Sequence, residues 1–200
     1  VAQLVRRASF DVLAGYAERI QLEPSNVATT DRLTTLNAAA VMKLVISKEV
    51  DRACRFGYPL SIILYDVDNL ADINRNYGYG VGDRILERLG ILTRGFFRQH
   101  DWVARYEEDS IAVLLTGPDA AHANGLAETL RSTVAERLEF KDHRTDRPVR
   151  VTLTAAVINL NITVGESIDP ERLMADLEMA IHRAKGEGKN RVVIVENYSG

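Results

Sequence analysis

Residues 98–115 read RQHDWVARYEEDSIAVLL. Two apolar runs, Trp102-Val103-Ala104 and Ile111-Ala112-Val113-Leu114-Leu115, flank a polar hinge, Glu107-Glu108-Asp109-Ser110. This is the pattern of a β-hairpin whose turn is packed with acids. Hairpin turns ordinarily favour Gly or Asn, which tolerate positive φ. Three consecutive carboxylates repel one another and do nothing obvious for local folding. A solvated acidic turn and an active site, working or disabled, both fit this stretch alone.

The 200-residue chain is 46% apolar and 26% charged, the balance of a soluble globular domain with at most a short appendage. Its net charge of −3 disfavours sequence-independent nucleic-acid binding through a basic surface. Cys54 is the single cysteine. No intrachain disulfide can form, Cys54 reads as helix filling, and a cytoplasmic, reducing location is expected. No apolar run approaches the ~20 residues of a membrane span, and no signal peptide shows. A start at Val1 is expected for a piece cut from a longer chain.

Working outward from the hairpin, Leu4, Val5, Ala8, Val12, Leu13, Tyr16 and Ile20 predict an amphipathic helix over 1–22. Pro24-Ser25-Asn26 ends it, so 1–30 reads as a helix and linker, the tail of an upstream sensor or a dimerising stalk. The folded domain is expected over 31–200. A second helix runs from Ala38 to about Phe56, stopped by Gly57-Tyr58-Pro59. Leu60 to Tyr65 is a buried strand that delivers Asp66-Val67-Asp68 at its end. Residues 69–77 read as helix, 78–82 as a Gly-rich turn and 83–97 as helix. After the hairpin come a helix over 120–138, a short strand at 139–141, a long strand from Val149 to Asn159, a helix over 170–185 with Pro170 at its first position, and a strand from Arg191 to Glu196. The order predicts an α/β domain with a mixed sheet covered by helices.

Asp-x-Asp at a strand end is a common way to present hard oxygen ligands to Mg²⁺. Alternation puts Asp66 and Asp68 on one side, and the hairpin can bring Asp109 alongside. Carboxylates, a Gly-rich turn and downstream cations suit a nucleoside triphosphate.

The order and spacing of four motifs resemble the GGDEF family of diguanylate cyclases, which condense two GTP into cyclic di-GMP. DRLTTLN (31–37) is similar to the family's DxLTGLxN opening, with Ala38 and Ala39 in place of two Arg. DVDNLADINRNYGYGVGDRIL (66–86) is similar to DxDxFKxxNDxxGHxxGDxxL. DWVARYEEDSIAVLL (101–115) stands where the family has DxxxRxGGDEFxxLL, and ADLEMAIHRAKGEGKNRV (175–192) is similar to ADxALYxAKxxGRN. The resemblance covers residues 31–196. It implies a ferredoxin-like, nucleotide-cyclase-like α+β fold, with a central, mostly antiparallel sheet flanked by helices.

The departures bear on activity. Glu107, Glu108, Asp109, Ser110 and Ile111 replace Gly-Gly-Asp-Glu-Phe. The family's glycines let the backbone approach GTP, and two Glu side chains block that approach while adding negative charge. A like-charge pair at ~4 Å costs about 1 kcal/mol in bulk water and about 4 at an effective dielectric near 20. Two such pairs approach the roughly 8 kcal/mol of a micromolar affinity. Ser110 further replaces an active-centre acid, and Leu70-Ala71 and Arg75 replace the family's Phe-Lys and Asp. Other pieces survive. The resemblance implies Asp66, the Val67 carbonyl and Asp109 as a vestigial metal set, with Mg²⁺ present only if nucleotide binds. It implies Asn74 and Asp83 as guanine readers, and Lys185 and Lys189 as phosphate cations. Asp83 reads equally as the cap of the 83–97 helix, and the two lysines suit a helix C-terminus.

Upstream of the signature, Arg98-Gln99-His100-Asp101 matches the family's product-inhibition motif RxxD. An Arg fork bonds guanine edges and phosphates in pairs, and Asp accepts from guanine N–H groups. Arg131 on the following helix is the expected second cation. Three functions are thus expected to compete. The first is a catalytically inactive cyclic di-GMP receptor or regulatory module in bacterial signalling. The second is an active cyclase with an unusual signature. The third is a nucleotide-free dimerisation domain.

Overall fold

A computed structural model describes residues 28–117, 119–142 and 148–195. The expected helix over 1–22 and residues 23–27 of the expected linker at 23–30 lie outside the described residues. Among the described residues, seven strands and five helices follow one another: α1 (Ala39–Phe56), β1 (Pro59–Val67), α2 (Leu70–Tyr77), α3 (Tyr79–Phe96), β2 (Trp102–Arg105), β3 (Ser110–Thr116), α4 (Ala120–Arg137), β4 (Glu139–Lys141), β5 (Pro148–Arg150), β6 (Leu153–Asn161), α5 (Pro170–Glu187) and β7 (Val192–Val195).

The central sheet has the order β2-β3-β1-β6-β7. Its pairings are antiparallel except β6 with β7, which run parallel. The architecture is therefore the helix-covered mixed sheet that the element order predicts, mostly antiparallel as the family resemblance implies. Strand β1 reads as a continuous apolar run because both of its faces are covered. Ile63, Tyr65 and Val67 pack with Ile85, Leu89, Ala127 and Leu130 of α3 and α4. Leu60, Ile62 and Leu64 pack with Ile46, Val50, Leu173 and Leu177 of α1 and α5. Alternation along the strand sends successive side chains into these two layers. At about 25 cal/mol per Å² of apolar area buried, the two layers are the main stabilising contribution.

Three expected boundaries shift. The Gly-rich turn at 78–82 shrinks to Gly78, whose φ of 87° lets α2 stop and α3 begin on either side of one residue. Asp83 consequently lies in the second turn of α3 and does not cap it. The long strand at 149–159 divides in two, because the chain changes partners: β5 pairs with β4, while β6 pairs with β1. Between them the Val151 N–H donates to Leu138 O (2.9 Å) and Thr152 O accepts from the Asp68 N–H (2.9 Å). The helix at 170 begins as expected, with Asp169 accepting from the Glu171 N–H at 3.0 Å, and continues to Glu187.

The segment that leads into the domain is sewn to the hairpin. Asp31 closes the 31–36 turn by accepting from the Thr34 N–H and hydroxyl, both at 2.7 Å. Asn37 then runs parallel to Ala104. Its N–H (3.3 Å) and side-chain amide (2.8 Å) donate to Val103 O, and its own carbonyl accepts from the Arg105 N–H at 2.9 Å. Gly90 of α3 passes so near Thr34 that an added Cβ would lie 2.5 Å from its carbonyl oxygen.

Candidate functional site

The C-terminal end of β1, the β2–β3 turn and the end of α5 converge. Register fixes the first two: Asp66 stands opposite Ser110, and the Val67 N–H donates to Asp109 O at 3.1 Å. Helix α5 brings the third, Lys185, whose ammonium bonds Asp66 Oδ1 and lies 3.5 Å from Val67 O. Lys189 beyond it bonds Asn69 Oδ1. Burial pushes the Asp66 carboxyl up to about 6, with Asp109 and Asp68 adding to the rise and Lys185 opposing it.

Asp68 does not join Asp66. Strand β1 ends at Val67, and Asn69, with φ of 60°, turns the chain into α2, so the period of two no longer applies. Asp68 is 2% exposed. It accepts from the hydroxyls of Thr152 and Thr154, each at 2.7 Å, and from the Asn190 N–H at 2.9 Å. Its work is to anchor the turn after α5. Among the described residues no three His, Cys, Asp or Glu side chains converge as a metal-holding group. What does converge is a carboxylate and a carbonyl, Asp66 and Val67, on one positive charge, the Lys185 ammonium. That donor pair, with the neighbouring Asp109 carboxylate, has the hard-oxygen chemistry a Mg²⁺ ion takes.

The signature turn is not strained by its side chains. Among the described residues the non-glycine positions with positive φ are Thr35, Asn69 and Asn190. Glu107 and Glu108 thus stand in ordinary backbone, and the expected demand for Gly or Asn in this turn is not met because none is needed. Both are exposed. Arg105 holds the turn from behind: it pairs with Asp31 at 3.3 Å and donates to Glu108 O at 2.6 Å. Burial raises the Asp31 carboxyl, but bonds from Thr34 and the Arg105 charge outweigh it and leave Asp31 below the usual carboxylate range. Across from the turn, burial and the Glu107 charge push Glu178 of α5 up, with Lys43 opposing. The Ser110 hydroxyl is buried without a hydrogen-bond partner.

Asn74 and Asp83 sit on α2 and α3, folded together at Gly78. A Cβ at Gly82 would lie 2.0 Å from Asn74 Oδ1, so only glycine admits this approach. The same oxygen is buried and unbonded.

The RxxD stretch is a closed turn after α3. The Arg98 N–H donates to Asp101 Oδ2 at 2.9 Å, and the Asp101 N–H donates to Arg98 O at 3.0 Å. The Asp101 side chain is only 10% exposed, and His100 Nε2 lies 3.9 Å from its Oδ1. Arg98 is exposed. Arg131 is not beside it, contrary to expectation. It pairs with Glu128 (2.8 Å from Nε) and bonds Asn190 Oδ1. Asn190 bonds Asp68 at the far end of β1, whereas Trp102, soon after Arg98, pairs with Leu114, opposite Ile62. Sheet register therefore separates the two arginines.

Asp31, Asn37, Arg105, Thr152, Thr154 and Asn190 hold this geometry and were not singled out by sequence reasoning. Asp31, Asn37, Arg105 and Asn190 lie inside the quoted motifs, which was the available signal. The two threonines carry none beyond β-branching.

The family described as "Diguanylate cyclase, GGDEF domain" matches residues 28–191. The response regulator PleD of Caulobacter vibrioides is 31% identical over 173 residues, covering 84% of this chain and 36% of PleD. The diguanylate cyclase DosC of Escherichia coli is 31% identical over 162 residues, covering 81% of this chain and 34% of DosC. The chain thus spans about a third of the length of the curated relatives it matches. Among solved structures, the DgcB domain of Caulobacter crescentus in complex with c-di-GMP superposes with a TM-score of 0.76 at 22% identity, covering 86% of this chain and 99% of that one. The FimX domain of Pseudomonas aeruginosa gives 0.73 at 18%, covering 84% of this chain and all of that one. At such identities the likeness concerns the fold.

Proposed function

The chain belongs to the GGDEF family of diguanylate cyclase domains, and from that premise we propose that it is a catalytically inactive member. In this reading it serves cyclic di-GMP signalling as a receptor or regulatory module, taking cyclic di-GMP at Arg98 and Asp101. The observation that carries the reading is the state of Arg98. Among the described residues its guanidinium makes no hydrogen bond or ion pair, while the turn below it is already closed by Asp101. A ligand with guanine edges and phosphates meets an unpaired guanidinium there. Arg131 has no part in this site.

The nucleotide seat offers the opposite. Glu107 and Glu108 are exposed at the turn where the family resemblance puts a triphosphate, and Ser110 supplies no carboxylate. Were Mg²⁺ to bind with nucleotide, Asp66, the Val67 carbonyl and Asp109 would hold it, and it would supply positive charge to the phosphates. Calorimetry with cyclic di-GMP tests the receptor reading. Saturable heat in the wild type, lost in Arg98→Ala, is expected. No heat at high micromolar ligand, or heat unchanged by the substitution, overturns it.

A working cyclase is the second reading, favoured by the retention of Asp66, Asn74, Asp83, Asp109 and Lys185. Incubation with GTP and Mg²⁺ decides it, since product formation would displace the receptor reading as the main function. A dimerisation domain that binds no nucleotide is the third, and a thermal shift with any guanine nucleotide would dispose of it. Homodimerisation, an upstream sensor and a cytoplasmic location belong to the proposal for the whole protein. Among the described residues no helix is long and apolar enough to cross a membrane.

A further inference from the structure

We propose that Lys185 is the resident cation of the Asp66–Val67 seat, so that a divalent metal ion enters only when the lysine is withdrawn. The geometry is specific. The Lys185 ammonium bonds Asp66 Oδ1 and lies 3.5 Å from Val67 O, the carboxylate and carbonyl that a divalent ion would use. Both partners are secluded, with side-chain exposures of 24% for Lys185 and 20% for Asp66. Screening by solvent is correspondingly weaker than for a surface pair. An ammonium and a dication sharing one pair of oxygens repel strongly, so occupancy by one excludes the other.

Lys189 provides the contrast. It lies just beyond the same end of α5 and carries the same charge, yet it bonds the neutral side chain of Asn69. Removing its charge alters the field around Asp66 without vacating the oxygens. The two lysines therefore separate occupation of the seat from general electrostatics. A coupling follows. Any anion that draws Lys185 off Asp66 opens the seat to metal, and by reciprocity bound metal leaves Lys185 free for an anion. This inference concerns the seat alone and does not depend on whether cyclic di-GMP binds at Arg98.

The test is Mn²⁺ binding to the whole chain, read by the electron paramagnetic resonance of the free ion. Manganese is chosen because it takes the same oxygen ligands as Mg²⁺. Lys185→Met should bind Mn²⁺ at least ~10-fold more tightly than the wild type, a gain of about 1.4 kcal/mol. Lys189→Met should change the affinity less than about 3-fold, the size expected for a screened neighbouring charge. Lys185→Arg, which keeps a cation in the seat, should behave as the wild type. Adding Asp66→Asn to Lys185→Met should abolish the gain. The inference is overturned if the wild type binds Mn²⁺ as tightly as Lys185→Met. A Lys189→Met gain as large as that of Lys185→Met, or a gain that survives Asp66→Asn, overturns it equally. Circular dichroism of each variant separates lost folding from lost binding.

Discussion

The end of β1 and the turn after α3 differ in how their charges are spent. At the strand end Asp66 has Lys185, Asp68 has two threonines and the Asn190 N–H, and Arg131 has Glu128 and Asn190. At the other corner Asp101 is used by its own turn, and Arg98 extends to solvent without a partner among the described residues. A region whose charges are mutually satisfied holds a fold together and resists a new ligand. A region with one cation left over is ready for one. Motif matching alone weights both regions equally, since both retain residues of the family pattern.

The largest expected effect breaks the satisfied region. Asp68→Ala leaves two hydroxyls and a backbone N–H without their acceptor, and each buried donor left unsatisfied costs about 1–3 kcal/mol. Urea unfolding of the variant should show it as a lower midpoint at unchanged slope. If the loss stays under about 1 kcal/mol, less than a single unsatisfied donor costs, Asp68 is not the anchor described here.

Next comes the signature turn. Replacing Glu107 and Glu108 together by Gly should strengthen binding of a non-hydrolysable GTP analogue at least ~10-fold, or about 1.4 kcal/mol. Titration calorimetry reads this directly. Because the turn needs no positive φ, the substitution is not expected to relieve strain. An unchanged affinity would mean that the two carboxylates do not guard the seat.

Arg105→Met is expected to cost about 1–2 kcal/mol, through loss of the Asp31 pair and the bond to Glu108 O. Part of that cost is pH-dependent. Asp31 titrates below its ordinary value in the folded protein, so its contribution is present above that value and is lost as pH falls through the lowered one. The difference between wild type and variant should therefore narrow in acid.

The smallest effect sits on α5. Glu178 has a folded pKa raised above the ordinary 4.5, so the folded state holds its proton more tightly and stability declines as pH rises through that window. Glu178→Gln should gain no more than about 0.5 kcal/mol at neutral pH, given its exposure, and nothing in acid below the ordinary value. Melting curves across pH check the sign. A variant that is less stable at neutral pH reverses it.

Most of the fold could be read from local pattern, because its determinants lie close together in the chain. The two-faced burial of β1 shows in its unbroken apolar run, and the start of α5 shows in Asp169-Pro170. Where reading failed, the deciding partner was distant. Thr152 and Thr154 lie beyond the reach of any window around Asp68, so period two placed Asp68 beside Asp66. Gly78 alone separates α2 from α3, and the three glycines at 78, 80 and 82 concealed that fact. For the site, the motif residues at Asp66, Asp109 and Lys185 do converge. Arg131 was misplaced because a helix position says little about which end of a sheet it reaches.

Strand β2 is the outermost strand on its side of the sheet, and Asn37 is what runs along its open edge. An uncovered edge offers unpaired N–H and C=O groups as a template for another chain. The short lead-in therefore also protects against self-association. A chain cut just after Asn37 would lose that cover, and with it Leu36, a fully buried core residue. Edge-to-edge stacking is then the failure to expect, alongside a core short of one leucine.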